Sequence, residues 1–331
     1  LSSMRLIRHC GELPPDLKGG VVALGNFDGV HKGHQAVICA ARRIADQLGA
    51  PLVVMCFEPH PRSFFRPDQP PFRLTPFRVK ARLVEALGAD LMVAQHFDAA
   101  FANLTALEFI ASILVCGLAA RHVVVGYDYV FGKGRQGTGA LLQKAANEGN
   151  FGFTAVPPEM APDGDVYSST RVREFLVGGQ PAEAAKLLGH YWEVEGRVEH
   201  GDARGRTIGF PTANFALGEY QRPATGVYAV RAGVDLGVVT QWHDGVANFG
   251  RRPTFDKTDE VLEVHLLDAN VDLYGKHLRV ALVDYLRPEM KFSGLAALKA
   301  QIEDDVRAAR ALLAEHHFPD SPGPMVPLGD N

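Results

Sequence analysis

Hydrophobic and polar positions follow two different rhythms along the chain, and the change comes near residue 190. Before it, largely apolar runs alternate with helical patterns. Residues 21–24, apolar throughout, read as a buried strand, 51–57, 90–95, 121–126 and 151–156 as further strands, and 34–48, 75–87 and 141–148 as helices. Thr105 with Glu108 three residues on is a capping box that opens a helix over 105–118. Continuous apolar strands separated by helices predict a parallel, doubly wound α/β sheet. Short helices over 168–177 and 182–188 lead into the second part. There Trp192, Val194, Gly196 and Val198 alternate with Glu193, Glu195, Arg197 and Glu199, a period of two. Strand-like pieces at 226–232, 237–242, 261–267 and 278–285, with no helices between them, predict an antiparallel β-barrel. Leu295, Leu298, Ile302, Val306, Ala309 and Leu313 recur at three or four residues and predict one closing amphipathic helix. The expected division is a first domain over 1–186 that includes the connecting helices, a second over 187–317, and a flexible tail over 318–331.

Composition narrows the options. The chain has 331 residues, which suits two domains. A formal charge of −4 argues against a broad basic face for nucleic acid. Cys10, Cys39, Cys56 and Cys116 form no CxxC pair, which argues against a zinc site or redox dithiol and for reduced thiols. No secretory signal is visible, and the longest apolar run, 109–120, is shorter than the ~20 residues a bilayer requires. The expectation is a cytoplasmic protein with no membrane partner.

Two segments carry candidate chemistry. In the first, the strand at 21–24 runs into Gly25-Asn26-Phe27-Asp28-Gly29-Val30-His31-Lys32-Gly33-His34. The crevice after a first strand is where open α/β sheets bind ligands. Glycines admit phosphate to backbone N–H groups, and a helix start attracts anions. His31 and His34, three apart at that start, can both face one triphosphate and donate to its oxygens as charge builds. A zinc reading lacks a third ligand nearby.

The second segment is glycine-rich, 201–214, and contains Gly205, Gly209, Pro211, Thr212 and Asn214. No GxxxxGK[ST] loop occurs, so kinase chemistry needs other groups. In an extended piece Thr212 and Asn214 project to one side, and their oxygens suit Mg²⁺ shared with ATP. Alone, Pro211–Asn214 is equally a plain turn. In 261–267, Leu262, Val264 and Leu266 form an apolar face. Glu263 and His265 share the other, where a carboxylate can take a proton from a substrate hydroxyl.

The string GNFDGVHKGHQ resembles the FMN adenylyltransferase module of bacterial bifunctional riboflavin kinase/FAD synthetases. So do FEPHP at 57–61, Leu74-Thr75 with Lys80, GYDYVFG at 126–132 and SSTRVR at 168–173. The resemblance implies a Rossmann-like nucleotidylyltransferase domain. In it, His31 and His34 stabilise the α-phosphate, and Gly25, Asn26, Phe27, Asp28, Gly33, Ser168, Ser169, Thr170 and Arg171 hold ATP. Phe57, Pro59, Asp128 and Phe131 line the flavin side. Tyr129, Val130 and Thr138 depart from the residues common in that family, which touches the flavin pocket. The second half resembles the riboflavin kinase module through GRTIGFPTAN, GVYA, GVANFG, RPTF, EVHLLD, DLYG and LRPEMKF. That resemblance implies Thr212 and Asn214 on Mg²⁺–ATP, Glu263 as base for the ribityl 5′-hydroxyl, and Arg287 and Phe292 at the flavin. The substrates implied are ATP, riboflavin and FMN. Three other readings stay open: a kinase without transferase activity, a flavin-binding protein without turnover, and adenylylation of another phosphorylated molecule. The second domain argues against the last.

Overall fold

The structure is a computed structural model, and it describes residues 4–198, 210–235, 240–253, 258–269 and 273–316. These fall into two compact units, one of residues 4–70 and 77–168 and one of 71–76 and 169–316.

The first unit holds strands β1 (Arg5–Ile7), β2 (Val21–Leu24), β3 (Leu52–Glu58), β4 (Leu91–His96), β5 (His122–Gly126), β6 (Val130–Phe131), β7 (Gly137–Thr138) and β8 (Gly152–Val156). Six of them form one parallel sheet in the order β1-β4-β3-β2-β5-β8. From β2 the chain winds outward through β3 and β4, then returns to β5 on the other side. The crevice at that reversal opens where β2 ends. β2 is buried along its whole length, as its all-apolar sequence requires of a strand covered on both faces. Helices α1 (Lys32–Leu48), α2 (Pro61–Phe65), α3 (Phe77–Ala86), α4 (Ala99–Ala102), α5 (Ala106–Glu108) and α6 (Gly139–Asn147) connect the strands. The expected capping box opens α5: Thr105 N–H donates to Glu108 at 2.8 Å, and Glu108 N–H to Thr105 Oγ1 at 3.2 Å. The helix runs on as a π-helix over Phe109–Gly117. The sequence pattern omits β1, which is short and mostly exposed, and the two-residue hairpin β6–β7.

The second unit begins with α7 (Ser169–Val177) and α8 (Pro181–Leu188). Strands β9 (Trp192–Arg197), β10 (Ala213–Ala216), β11 (Gly226–Asp235), β12 (Thr240–Pro253), β13 (Thr258–Leu266) and β14 (His277–Arg287) follow. All pair antiparallel in the order β10-β13-β12-β11-β14-β9. The sheet curls until its two edges meet, because Phe215 of β10 fills the space beside Gly196 of β9. β12 is longer than the expected 237–242. Gly245 and Gly250 suggest turns in the sequence but continue the ladder, opposite Leu266 and Val261. Residues 236–239 and the tail lie outside the described residues. The closing helix α9 (Leu295–Glu315) forms, but its stripe is buried in its later part only. Ala309 and Leu313 are inside, whereas Leu295 is 63% exposed. Asp305 lies between them, buried as an ion partner of Arg287.

Candidate active sites

The first site is a loop folded tightly enough to leave ordinary backbone space. Phe27 and Val30 adopt positive φ, 49° and 44°, beside Gly29 at 92°. For a β-branched residue such as Val30 this is strained, and strain of this kind gathers at functional loops. Gln35, buried on α1, holds the Val30 carbonyl with its side-chain amide at 2.8 Å. The Phe27 ring packs over Gly25 and stands edge-on to His34 at 5.4 Å.

His31 caps α1. Its Nδ1 accepts the backbone N–H of His34 at 3.3 Å. A capped Nδ1 holds a lone pair, so the neutral ring carries its proton on Nε2, as a donor. Gly33 makes room for this fold, since a Cβ there would lie 3.2 Å from the His31 ring. The rings of His31 and His34 stack with centroids 3.6 Å apart. The loop thus sets two imidazoles together where β2 feeds α1.

Phe57 and Phe131, nominated from separate motifs, belong to one aromatic chain. Phe57 contacts Phe101 at 5.6 Å, Phe101 contacts Phe109 at 6.1 Å, and Phe109 contacts Phe131 at 5.1 Å. Phe64, Phe65 and Phe97 extend it, with contacts of 5.2–6.0 Å. Tyr129 stacks on Phe131, and burial pushes its phenol pKa up. Its hydroxyl, buried, has no hydrogen-bond partner among the described residues. Pro59 and Asp128 are exposed near the ends of β3 and β5. Phe64, Phe65, Phe97 and Phe101 were not nominated from sequence; aromatic density over 57–109 was the available signal. A cavity of about 360 Å³ at the β1–β4–β3 end of the sheet, lined by Arg8, His9, Glu58, Phe77, Ala94 and His96, includes none of the nominated residues.

The second site is set by strand register. Asn214 of β10 lies directly opposite Glu263 of β13. Opposed residues share a face of the sheet, so amide and carboxylate are neighbours. Asn214 is buried, and its Oδ1 has no hydrogen-bond partner among the described residues. Thr212 precedes it, half-buried. His265 fixes the approach of this segment: its Nδ1 donates to the Pro211 carbonyl at 2.9 Å, and its ring meets Phe210 edge-on at 5.4 Å. Gly205 and Gly209 lie outside the described residues.

Arg287 makes a bidentate pair with Asp305 of α9, at 2.8 and 2.7 Å, and its guanidinium stands 5.9 Å from the Phe292 ring. Arg287 is therefore tied to the closing helix, and Phe292 stands beside Arg287. Ser168 ends the first unit, while Ser169, Thr170 and Arg171 open α7 of the second. No three His, Cys, Asp or Glu side chains among the described residues gather as a metal centre. No described helix is long and apolar enough to cross a membrane.

A parallel α/β unit with a paired-histidine loop at its switch point, joined to an antiparallel barrel with an amide–carboxylate pair, defines a two-domain nucleotide-dependent transferase. The comparisons give the family. Residues 13–171 match the FAD synthetase family and residues 188–313 the riboflavin kinase family. The chain is 44% identical to the Escherichia coli K12 bifunctional riboflavin kinase/FMN adenylyltransferase, over 93% of this chain and 97% of that one. It is 40% identical to the Bacillus subtilis protein of the same description, over 87% and 91%. A Streptococcus pneumoniae structure described as a macrolide-efflux protein superposes with a TM-score of 0.82 at 33% identity, covering 93% of this chain and 99% of that one. The chain belongs to the bifunctional riboflavin kinase/FMN adenylyltransferase family.

Proposed function

We propose that the two halves of this enzyme work in series, the barrel making FMN from riboflavin and the parallel domain making FAD from FMN. In the first step Glu263 accepts the proton of the ribityl 5′-hydroxyl. The freed oxygen bonds to the γ-phosphorus of ATP, and ADP leaves with the electron pair. The observation that carries this reading is the register of Asn214 against Glu263, which sets a proton acceptor beside an oxygen donor of the metal-binding type.

Thr212 and Asn214 fit a Mg²⁺ ion. The buried Asn214 Oδ1 is an acceptor left over by the fold, and neutral oxygens plus phosphates are what this ion favours. Bound there with ATP, the ion would screen the phosphate charge. Arg287 and Phe292 flank the flavin end in this assignment.

In the second step a phosphate oxygen of FMN bonds to the α-phosphorus of another ATP, and pyrophosphate departs. The His31 Nε2–H and His34 donate to the phosphate oxygens as their charge rises. Gly25, Asn26, Phe27, Asp28 and Gly33 shape the phosphate cradle, and Phe57, Pro59, Asp128 and Phe131 the flavin side. The hydroxyls and guanidinium of Ser168 to Arg171 suit an anion, a role assigned on sequence likeness. The functional boundary is placed at 186/187. Four free cysteines support a reducing, cytoplasmic setting.

The test is a product time course from riboflavin, ATP and Mg²⁺. FMN should appear first and FAD second, and chelating Mg²⁺ should stop both. FAD without an FMN intermediate, or no FAD from supplied FMN, would contradict the series.

A further inference from the structure

The register that joins Asn214 to Glu263 continues one strand further. Glu263 also lies directly opposite Asn248 of β12. The three side chains therefore form one row on one face across β10, β13 and β12. With strands about 4.8 Å apart, the row is about 10 Å long. The rows on either side are core: Ala213, Val264 and Ala247 on one, Phe215, Leu262 and Phe249 on the other, all buried. Asn248 is only half-buried, so its amide stands on the open face with Glu263.

The space beside Asn248 is taken by a carboxylate that only a glycine at position 250 admits. A Cβ on Gly250 would lie 3.2 Å from Asn248 Nδ2 and 2.1 Å from Glu289 Oε1. The amide and the Glu289 carboxylate converge there, and any larger residue would displace them.

The row has a direction. Its Asn214 end carries the oxygen assigned to Mg²⁺ and ATP. Glu263, in the middle, must touch the hydroxyl that attacks. Attack in line with the leaving group puts the rest of the acceptor on the side away from ATP, toward β12. Asn248 is the polar side chain the register places there.

We propose that Asn248 binds the acceptor polyol, donating its amide N–H to a hydroxyl of the ribityl chain beside the one that Glu263 deprotonates. Gly250 lets the Glu289 carboxylate sit beside that amide and so keeps the amide in place. This rests on Glu263 being the base. Asn248 gains and loses no proton; it orients the alcohol.

The test uses the full chain and steady-state riboflavin phosphorylation, with thermal melts of each variant as a check of folding and adenylylation of supplied FMN as a check of the other site. Asn248→Ala should raise KM for riboflavin about tenfold, the scale of one lost hydrogen bond to substrate, while KM for MgATP stays within about twofold. Asn248→Asp keeps the size but loses the donor, and should fail alike. Gly250→Ala should show the same bias toward riboflavin. Equal changes in both KM values, or a fall in kcat alone, would overturn the proposal. Glu263→Gln separates the two claims. If it abolishes FMN formation while Asn248→Ala leaves KM for riboflavin unchanged, the Asn248 assignment fails alone. If Glu263→Gln retains full kcat, the base assignment fails and the Asn248 proposal with it.

Discussion

The two candidate sites hold their chemistry by different means. The paired histidines sit at a loop-to-helix junction, His31 capping α1 and His34 in its first turn, held by a strained backbone and one buried glutamine. The amide–carboxylate pair comes from strands far apart in sequence and is held by ladder hydrogen bonds. A loop-built site concentrates its cost locally, so one substitution can release it. A register-built site is as firm as the sheet, and its side chains can be exchanged singly without moving neighbours. The contrast can be attacked at several points.

The largest effect is expected in the barrel's support. Arg279 and Glu193 form a buried bidentate pair at 2.7 and 3.0 Å, with Arg279 against Trp242. Glu193→Ala leaves a buried cation unpaired and should cost about 3–5 kcal/mol by denaturant titration. FMN formation should fall with the folded fraction, since register rests on the whole sheet. A stable variant with normal kinase activity would break that link.

Next is the loop. Gln35→Leu removes the support of the Val30 carbonyl and should cost about 1–3 kcal/mol. Adenylylation of FMN should drop by about tenfold or more, with riboflavin phosphorylation unchanged. Equal loss of both activities would mean the loop is not a local device.

A smaller effect of opposite sign is expected at Tyr129. Tyr129→Phe deletes a buried hydroxyl with no hydrogen-bond partner among the described residues, and should raise stability by about 1 kcal/mol in thermal melts. Destabilisation would show that the hydroxyl is satisfied in solution.

The smallest concerns pH. Burial lowers the pKa of His122, on β5, from its ordinary value of 6.5. The unfolded chain then binds a proton that the folded one resists, so stability falls as pH drops through 6.5. His122→Gln should flatten the pH dependence just below that value; an unchanged slope would assign it to other groups.

Much of the fold was readable because it follows period. Apolar strands such as Val21–Leu24 had to be covered on both faces, and the alternation from Trp192 had to have one face inside. The closing helix misled at its start, since a stripe says which face is apolar and not how far the partner sheet extends. The first site was visible as a string, but its mechanism of support was not. His31 caps its helix, and histidine is not among the favoured caps. At the second site Glu263 stood out as a carboxylate on a strand, yet its proximity to Asn214 depends on a register that neither segment encodes alone.

The central claim is that each site serves one reaction, and crossed assays of Glu263→Gln and His31→Ala test it most directly. Glu263→Gln should reduce FMN formation from riboflavin by about 10²–10⁴-fold and spare FAD formation from added FMN. His31→Ala should reduce FAD formation by about 10²–10³-fold and spare FMN formation. Either substitution silencing both reactions in a folded protein would contradict the account.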